Sequence, residues 1–312
     1  VRALVIGADG FAGRWLTRHL AESGDAVVAA VGPHFAGDQP EADEVVSVDV
    51  TDSASVSRMI QAAKPDATYY LAGVSRRGTR DAISAAANVT VAGSVGTLAG
   101  LSQHAPGSLL LFVSSAHVYD SSKRPLDEGA STRPMEVYGA AKLAAEKALG
   151  ALAPVSGVGL EIVRPFNHIG PGQRDGFLVP TVASQLRDVA SGRLSNVSVG
   201  AIDDVLDFSD VRDVVRAYRV IATAGQPGLW NVASGRGWLV GELIGQMVEL
   251  AGGGIEVVST PPPLRAKQRN LVGDATKLRA LGWAPEHDLT ATLREVLDAY
   301  LGDAEQRSAV VD

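Results

Sequence analysis

The sequence predicts an α/β protein in which a doubly wound parallel sheet is joined to a smaller, partly discontinuous α/β region. Three observations carry this expectation. Over roughly the first half of the chain, short apolar and β-branched runs alternate with longer helix-compatible segments. Unbroken apolar strands of this kind belong to parallel sheets covered on both faces. A glycine-rich turn, GADGFAG, stands between the first run and the first helical segment, and beyond Pro165 the alternation loosens into loops such as NHIGPGQRDG.

The elements follow in order. The runs ALVIG, AVVAAV, EVVSVDV, ATYYLA, SLLLFVSS and LEIVRP begin near Ala3, Ala26, Glu44, Ala67, Ser108 and Leu160. Between them lie FAGRWLTRHLAES, SASVSRMIQAA, a long helical segment from about Asp81 to Gln103 and another from about Val137 to Leu152. This is the pattern of a Rossmann sheet, whose ligands bind beyond the carboxyl ends of the strands. Residues 1–165 are expected to form that domain, with the sheet completed by a segment near 203–235, where NVAS (Asn231 to Ser234) returns the chain. Residues 166–312 are expected to be mainly a substrate domain, with helices near Thr181 to Ser191, Asp210 to Ala224 and Leu239 to Ala251.

Composition narrows the function. The chain has 312 residues, 46% of them hydrophobic, a formal charge of −7 and no cysteine. A protein that neutralises nucleic-acid phosphates carries a basic face, so the acidic balance argues against such a partner. Without cysteine there is neither a disulfide framework nor a thiolate metal site, and no metal is expected. The opening residues VRALVIG read as a strand rather than a secretory signal, and no apolar run approaches the ~18 residues of a membrane span. These features predict a cytoplasmic enzyme with no membrane partner.

The chemistry-bearing motifs sit where strands end. GADGFAG places Gly7, Gly10 and Gly13, together with Asp9, Phe11 and Arg14, between the first strand and first helix. Glycines let a pyrophosphate approach the helix amino terminus, where unpaired N–H groups and the helix dipole favour an anion. The spacing is GxxGxxG rather than GxGxxG. Asp49 and Val50, after the third strand, and Leu71, Ala72 and Gly73, closing the fourth, occupy the strand ends that face a dinucleotide. YGAAK puts the Tyr138 phenol and the Lys142 ammonium on one helical face, four residues apart. A neighbouring ammonium lowers a phenol's pKa, which would make Tyr138 a usable proton donor or acceptor.

With Ser115 at the end of the fifth strand, these motifs resemble the extended short-chain dehydrogenase/reductase family, whose members mostly act on nucleotide sugars. Within it, FNHIGPGQ, the following GF at Gly176 and DFSDVRDVVRAY are most similar to GDP-4-keto-6-deoxy-D-mannose reductases. The resemblance implies that Tyr138 exchanges a proton with a sugar oxygen, that Ser115 hydrogen-bonds that oxygen and that Lys142 binds the nicotinamide ribose. It also implies cofactor contacts by Pro165, substrate contacts by Ser75, Ala116, His117, Asn167, Arg174, Val179 and Arg265, and a homodimer.

Dehydratases of this family carry carboxylates after the serine, whereas this chain has Ala116 and His117; elimination of water needs a carboxyl acid and base there. The second strand ends AAVGPHF with no carboxylate for a ribose 2′-hydroxyl, so NADPH is the expected cofactor, with Arg14 or His34 at its 2′-phosphate, and NADH the alternative. The expected function is an NADPH-dependent 4-ketoreductase of a GDP- or dTDP-linked 4-keto-6-deoxyhexose. The alternatives are an NAD-dependent nucleotide-sugar 4-epimerase and a nonenzymatic dinucleotide-binding regulator. The chain departs from the family at Leu206, where an arginine near the substrate phosphates is usual; Arg265 is the expected replacement.

Overall fold

The computed structural model describes residues 1–74, 80–260 and 268–308. Seven strands form one sheet: β1 (Arg2–Ile6), β2 (Ala26–Val31), β3 (Glu44–Ser47), β4 (Ala67–Tyr70), β5 (Leu109–Val113), β6 (Gly159–Pro165) and β10 (Gly228–Val232). Their order is β10-β6-β5-β4-β1-β2-β3, and every pairing is parallel. The chain winds one way from β1 to β3 and the other way from β4 onward. The crevice for a ligand therefore opens between β1 and β4, beyond their carboxyl ends.

Alternation along β1 shows why both faces are covered. Ala3 and Val5 enter one apolar core while Leu4 and Ile6 enter the other. Successive side chains on a strand point to opposite faces, so an unbroken apolar run supplies both. Helices α1 (Phe11–Glu22) and α7 (Val211–Ala224) pack together on one face, and α2 (Ser53–Ala63), α4 (Gly93–His104) and α5 (Val137–Ser156) on the other.

The long helix expected over Asp81 to Gln103 is interrupted. It consists of α3 (Arg80–Ala86), a π-helical stretch (Ala87–Ala92) and α4. Its residues Ile83–His104 form the one helical run among those described that is long and apolar enough to cross a membrane, with a mean hydropathy of 1.2. Here α4 packs against α2 and α5.

The segment near 203–235 divides. Only β10 joins the main sheet, beside β6; β9 (Val205–Asp210) is the centre of a second sheet with β7 (Asn167–Ile169), β11 (Gly237–Leu239) and β13 (Asn270–Leu271). Residue Asp207 explains the detour. Its fully buried carboxylate accepts from Ser234 N at 2.9 Å, Ser234 Oγ at 2.6 Å, Gly235 N at 2.9 Å and Gly273 N at 3.2 Å. One side chain thus ties β9 to the loop after β10 and to the chain after β13. The remaining helices are α6 (Leu178–Ala190), α8 (Val240–Leu250), a short α9 (Thr276–Arg279) and α10 (Leu289–Ser308), with β8 (Asn196–Val199) and β12 (Glu256–Ser259) forming a separate parallel pair.

Candidate active site

The glycine turn occupies the crevice between β1 and β4. Gly7 has φ +89°, and a Cβ built on it would lie 2.8 Å from the Ala72 amide nitrogen. Glycine alone combines that backbone with that approach. A Cβ on Gly13 would collide with the Gly7 carbonyl. The turn therefore lies flat against Leu71–Gly73, with the first helical residue, Phe11, directly beyond it. Such a cradle, too narrow for side chains and ending on a helix amino terminus, fits the pyrophosphate of a dinucleotide.

Two opposite charges reach the end of β2. A Cβ built on Gly32 would lie 3.8 Å from Asp9 Oδ2, and one on Gly37 would lie 3.2 Å from Arg14 Nη2. The Arg14 guanidinium also lies 5.5 Å from the centre of the Phe35 ring. The second strand carries no carboxylate of its own, as its sequence shows, and the Asp9 carboxylate of the glycine turn stands at its end instead. His34 is exposed. Asp49 is held by Thr51 N at 2.9 Å and Thr51 Oγ1 at 2.7 Å, bonds that lower its pKa. Val50 lies against Gly93 of α4.

The catalytic candidates converge at the end of β5. Ser115 accepts from His117 N at 3.2 Å and opens a 3₁₀ turn, Ala116–Val118. A Cβ on Gly139 would collide with the His117 carbonyl. Glycine at the second position of YGAAK therefore lets α5 close onto this turn, which brings Tyr138 to Ser115. Burial pushes the Tyr138 phenol up, and its hydrogen bond with Ser115 acts in the opposite direction. The expectation of a phenol lowered by Lys142 is thereby reversed: desolvation of the phenolate dominates.

Lys142 is 2% exposed, its Nζ donating to Val113 O at 2.6 Å and lying 5.8 Å from the centre of the Tyr138 ring. Burial pushes its ammonium down to about 7, while the charge of Glu146 acts to raise it. A Cβ on Gly73 would lie 3.3 Å from Lys142 Nζ and 3.8 Å from Thr90 Oγ1, so the end of β4, the π-helical stretch and α5 meet at the lysine. Pro165 ends β6, opposite Val232 of β10.

The other expected residues divide. Asn167 donates Nδ2 to Asp207 O at 3.0 Å, and His168 stacks on Phe11 with ring centres 6.0 Å apart. Arg174 is exposed on the loop before α6. Val179 and Ala116 are buried in the core. Ser75 and Arg265 lie outside the described residues. Leu206 is buried in the core opposite Trp238 of β11, which leaves a phosphate-facing guanidinium no room at that position. Arg236 stacks 4.0 Å over the Trp238 ring. The chemistry missing from positions 116 and 117 is partly restored nearby. Glu136, the residue just before α5, has Oε2 4.0 Å from His117 Nδ1 and Oε1 3.7 Å from Arg269 Nη1. The His117 ring meets Tyr138 edge-on at 6.0 Å. Its place two residues before Tyr138 was the signal for Glu136.

A family model described as the NAD dependent epimerase/dehydratase family matches residues 3–233. The GDP-6-deoxy-D-mannose reductase of Pseudomonas aeruginosa is 31% identical over 98% of each chain. The NADPH complex of RMD from Pseudomonas aeruginosa superposes with a TM-score of 0.80 at 28% identity, covering 96% of this chain and 99% of the other. The UDP-glucose 4-epimerase of Stenotrophomonas maltophila, bound to NAD and a formylated UDP-arabinopyranose, gives a TM-score of 0.83 at 26% identity, covering 98% and 99%. Four UDP-glucose 4-epimerases are similar in sequence at 26–29% identity.

Proposed function

The chain belongs to the NAD dependent epimerase/dehydratase family, and from that premise we propose that it exchanges hydride between a bound nicotinamide and C4 of a nucleotide-diphosphate hexose. The convergence of Ser115, Tyr138 and Lys142 beside the glycine cradle carries this reading. Ser115 hydrogen-bonds the reacting sugar oxygen and Tyr138 exchanges a proton with it, taking the proton as hydride leaves C4 and returning it as hydride comes back. Lys142 holds the cofactor's ribose, and the nicotinamide supplies or accepts the hydride. Residues 1–165 with β10 serve the dinucleotide and residues 166–312 mainly the sugar nucleotide, in a cytoplasmic homodimer with no nucleic-acid or membrane partner.

For the net reaction we favour 4-epimerisation with retained NAD, the reading that most of the comparisons support. Asp9 is the observation in this chain that agrees, because a carboxylate at the end of β2 accepts from a ribose 2′-hydroxyl and repels a 2′-phosphate. Net 4-ketoreduction with NADPH is the second reading. It rests on the 31% identical reductase and on Arg14, whose guanidinium suits a 2′-phosphate. Denaturing the purified protein and identifying released nucleotide separates them. Stoichiometric NAD, with UDP- or GDP-hexose turned over without net cofactor use, supports epimerisation. Empty protein that consumes NADPH with a 4-keto-6-deoxyhexose nucleotide supports reduction.

A further inference from the structure

A buried charge pair lies directly behind the catalytic lysine. Glu146 stands one helical turn beyond Lys142 on α5, and both it and Arg164 of β6 are 4% exposed. Arg164 donates Nε to Glu146 Oε1 at 2.8 Å and Nη2 to Oε2 at 2.5 Å, and Ser114, next to Ser115, donates Oγ to Oε1 at 2.5 Å. Behind Arg164, the Tyr119 ring lies 4.6 Å from its guanidinium, and the Tyr119 hydroxyl donates to Asn231 of β10 at 2.7 Å. One carboxylate thus joins the helix that carries Tyr138 and Lys142, the strand end that carries Ser115 and the neighbouring strand.

Burying two charges is a poor route to stability, since apolar residues of the same shape usually do as well. The retention of a charged pair at this position therefore calls for a role other than stability. We propose that Glu146 is a positioning residue of the reaction, holding the strand end that carries Ser115 through Ser114 and standing one helical turn from Lys142, with Arg164 fixing the carboxylate in place. This rests on the function proposed above for Ser115, Tyr138 and Lys142.

The groups facing Lys142 and Glu146 make the sign of the effect predictable. Arg164 of β6 faces Glu146 and Tyr138 of α5 lies beside Lys142, with Tyr119 of the turn after β5 against Arg164 and Tyr218 of α7 beside Tyr138; the π-helical stretch and α4 present no charged side chain but His104. Burial lowers Lys142 to about 7 and Glu146 is the charge that opposes it. Without that charge, Lys142 loses its proton at lower pH.

The test is a pH profile of turnover for Glu146→Gln, with thermal unfolding and NADH binding measured on the same samples. The expected result is turnover at neutral pH reduced at least tenfold, KM for the sugar nucleotide within about twofold, and an alkaline limb displaced by about one pH unit to lower pH. NADH binding should weaken in the same direction with pH, a readout that survives if the substrate assignment is wrong. Glu146→Asp keeps the charge and should keep the position of the limb. Should Glu146→Gln fail to fold, Glu146→Met with Arg164→Met replaces the pair by apolar groups; it should fold and still show the displaced limb. A limb and a NADH-binding profile that stay in place, in whichever of these variants folds, would overturn the proposal. Wild-type protein without turnover on any nucleotide hexose, but with the displaced NADH profile in the variant, would sink the substrate reading and leave the positioning role standing.

Discussion

The phenol of Tyr138 is where the proposed reaction takes place, and the structure makes it a stronger base when ionised than sequence spacing suggests, because burial disfavours the phenolate. Tyr138→Phe removes the proton carrier and little volume. Turnover should drop by about 10²–10⁴-fold, the range for a lost general acid or base, with KM for the sugar nucleotide nearly unchanged; steady-state kinetics checks it. Substrate phosphates are a separate matter at the same scale. Leu206 belongs to the core, and the exposed Arg236 lies over the ring of Trp238, the residue opposite Leu206 on β11; we propose Arg236 as a contact for the substrate phosphates. Arg236→Ala should raise KM for the nucleotide sugar by roughly tenfold, the effect of losing a charge-assisted hydrogen-bond partner worth ~1.5 kcal/mol. An unchanged KM would remove Arg236 from the site.

At the scale of elements, the site depends on how closely α5 approaches the turn after β5. Gly139 permits that approach, and a methyl group there meets the His117 carbonyl. Gly139→Ala should lower turnover more than tenfold while leaving dinucleotide affinity near that of the wild type, since the glycine cradle is on β1 and α1; fluorescence titration with NADH measures the second quantity. Much of this level was legible in the sequence. Apolar runs marked the six strands because parallel strands must fill two cores, and GADGFAG and YGAAK marked the turn after β1 and the start of α5 because backbone geometry and helical spacing act locally. What escaped was non-local. The Glu146–Arg164 pair spans α5 and β6, the Asp207 hub joins three separated segments, and Leu206 is a core residue only because β11 returns beside it. The π-helical stretch inside the Ala-rich helix was hidden for another reason: no glycine or proline stands at its start.

For the whole molecule, a buried acid ties β9 to the helices packed around it. Asp210 ends β9 and is 2% exposed. It takes Arg212 Nε at 2.8 Å, Arg212 Nη2 at 2.6 Å and Thr292 Oγ1 of α10 at 2.6 Å. Burial acts to raise its pKa, but these bonds outweigh it and hold the carboxyl below its ordinary value. A depressed folded pKa contributes stability above the unfolded value, lost as pH falls through the folded one. Asp210→Asn should therefore destabilise the protein by about 3 kcal/mol at pH 7, the scale for breaking a buried pair, and the gap from wild type should close below about pH 4. Urea unfolding at both pH values checks it. The central claim, hydride exchange at C4 of a nucleotide hexose, is tested most directly by label transfer. Wild-type protein loaded with NADH dideuterated at the nicotinamide C4 and given a UDP- or GDP-4-ketohexose should pass deuterium to the sugar C4, read by mass spectrometry of the sugar nucleotide, and Tyr138→Phe should pass almost none. Protein that binds NADH and the ketosugar nucleotide, yet leaves C4 without deuterium, would contradict the account.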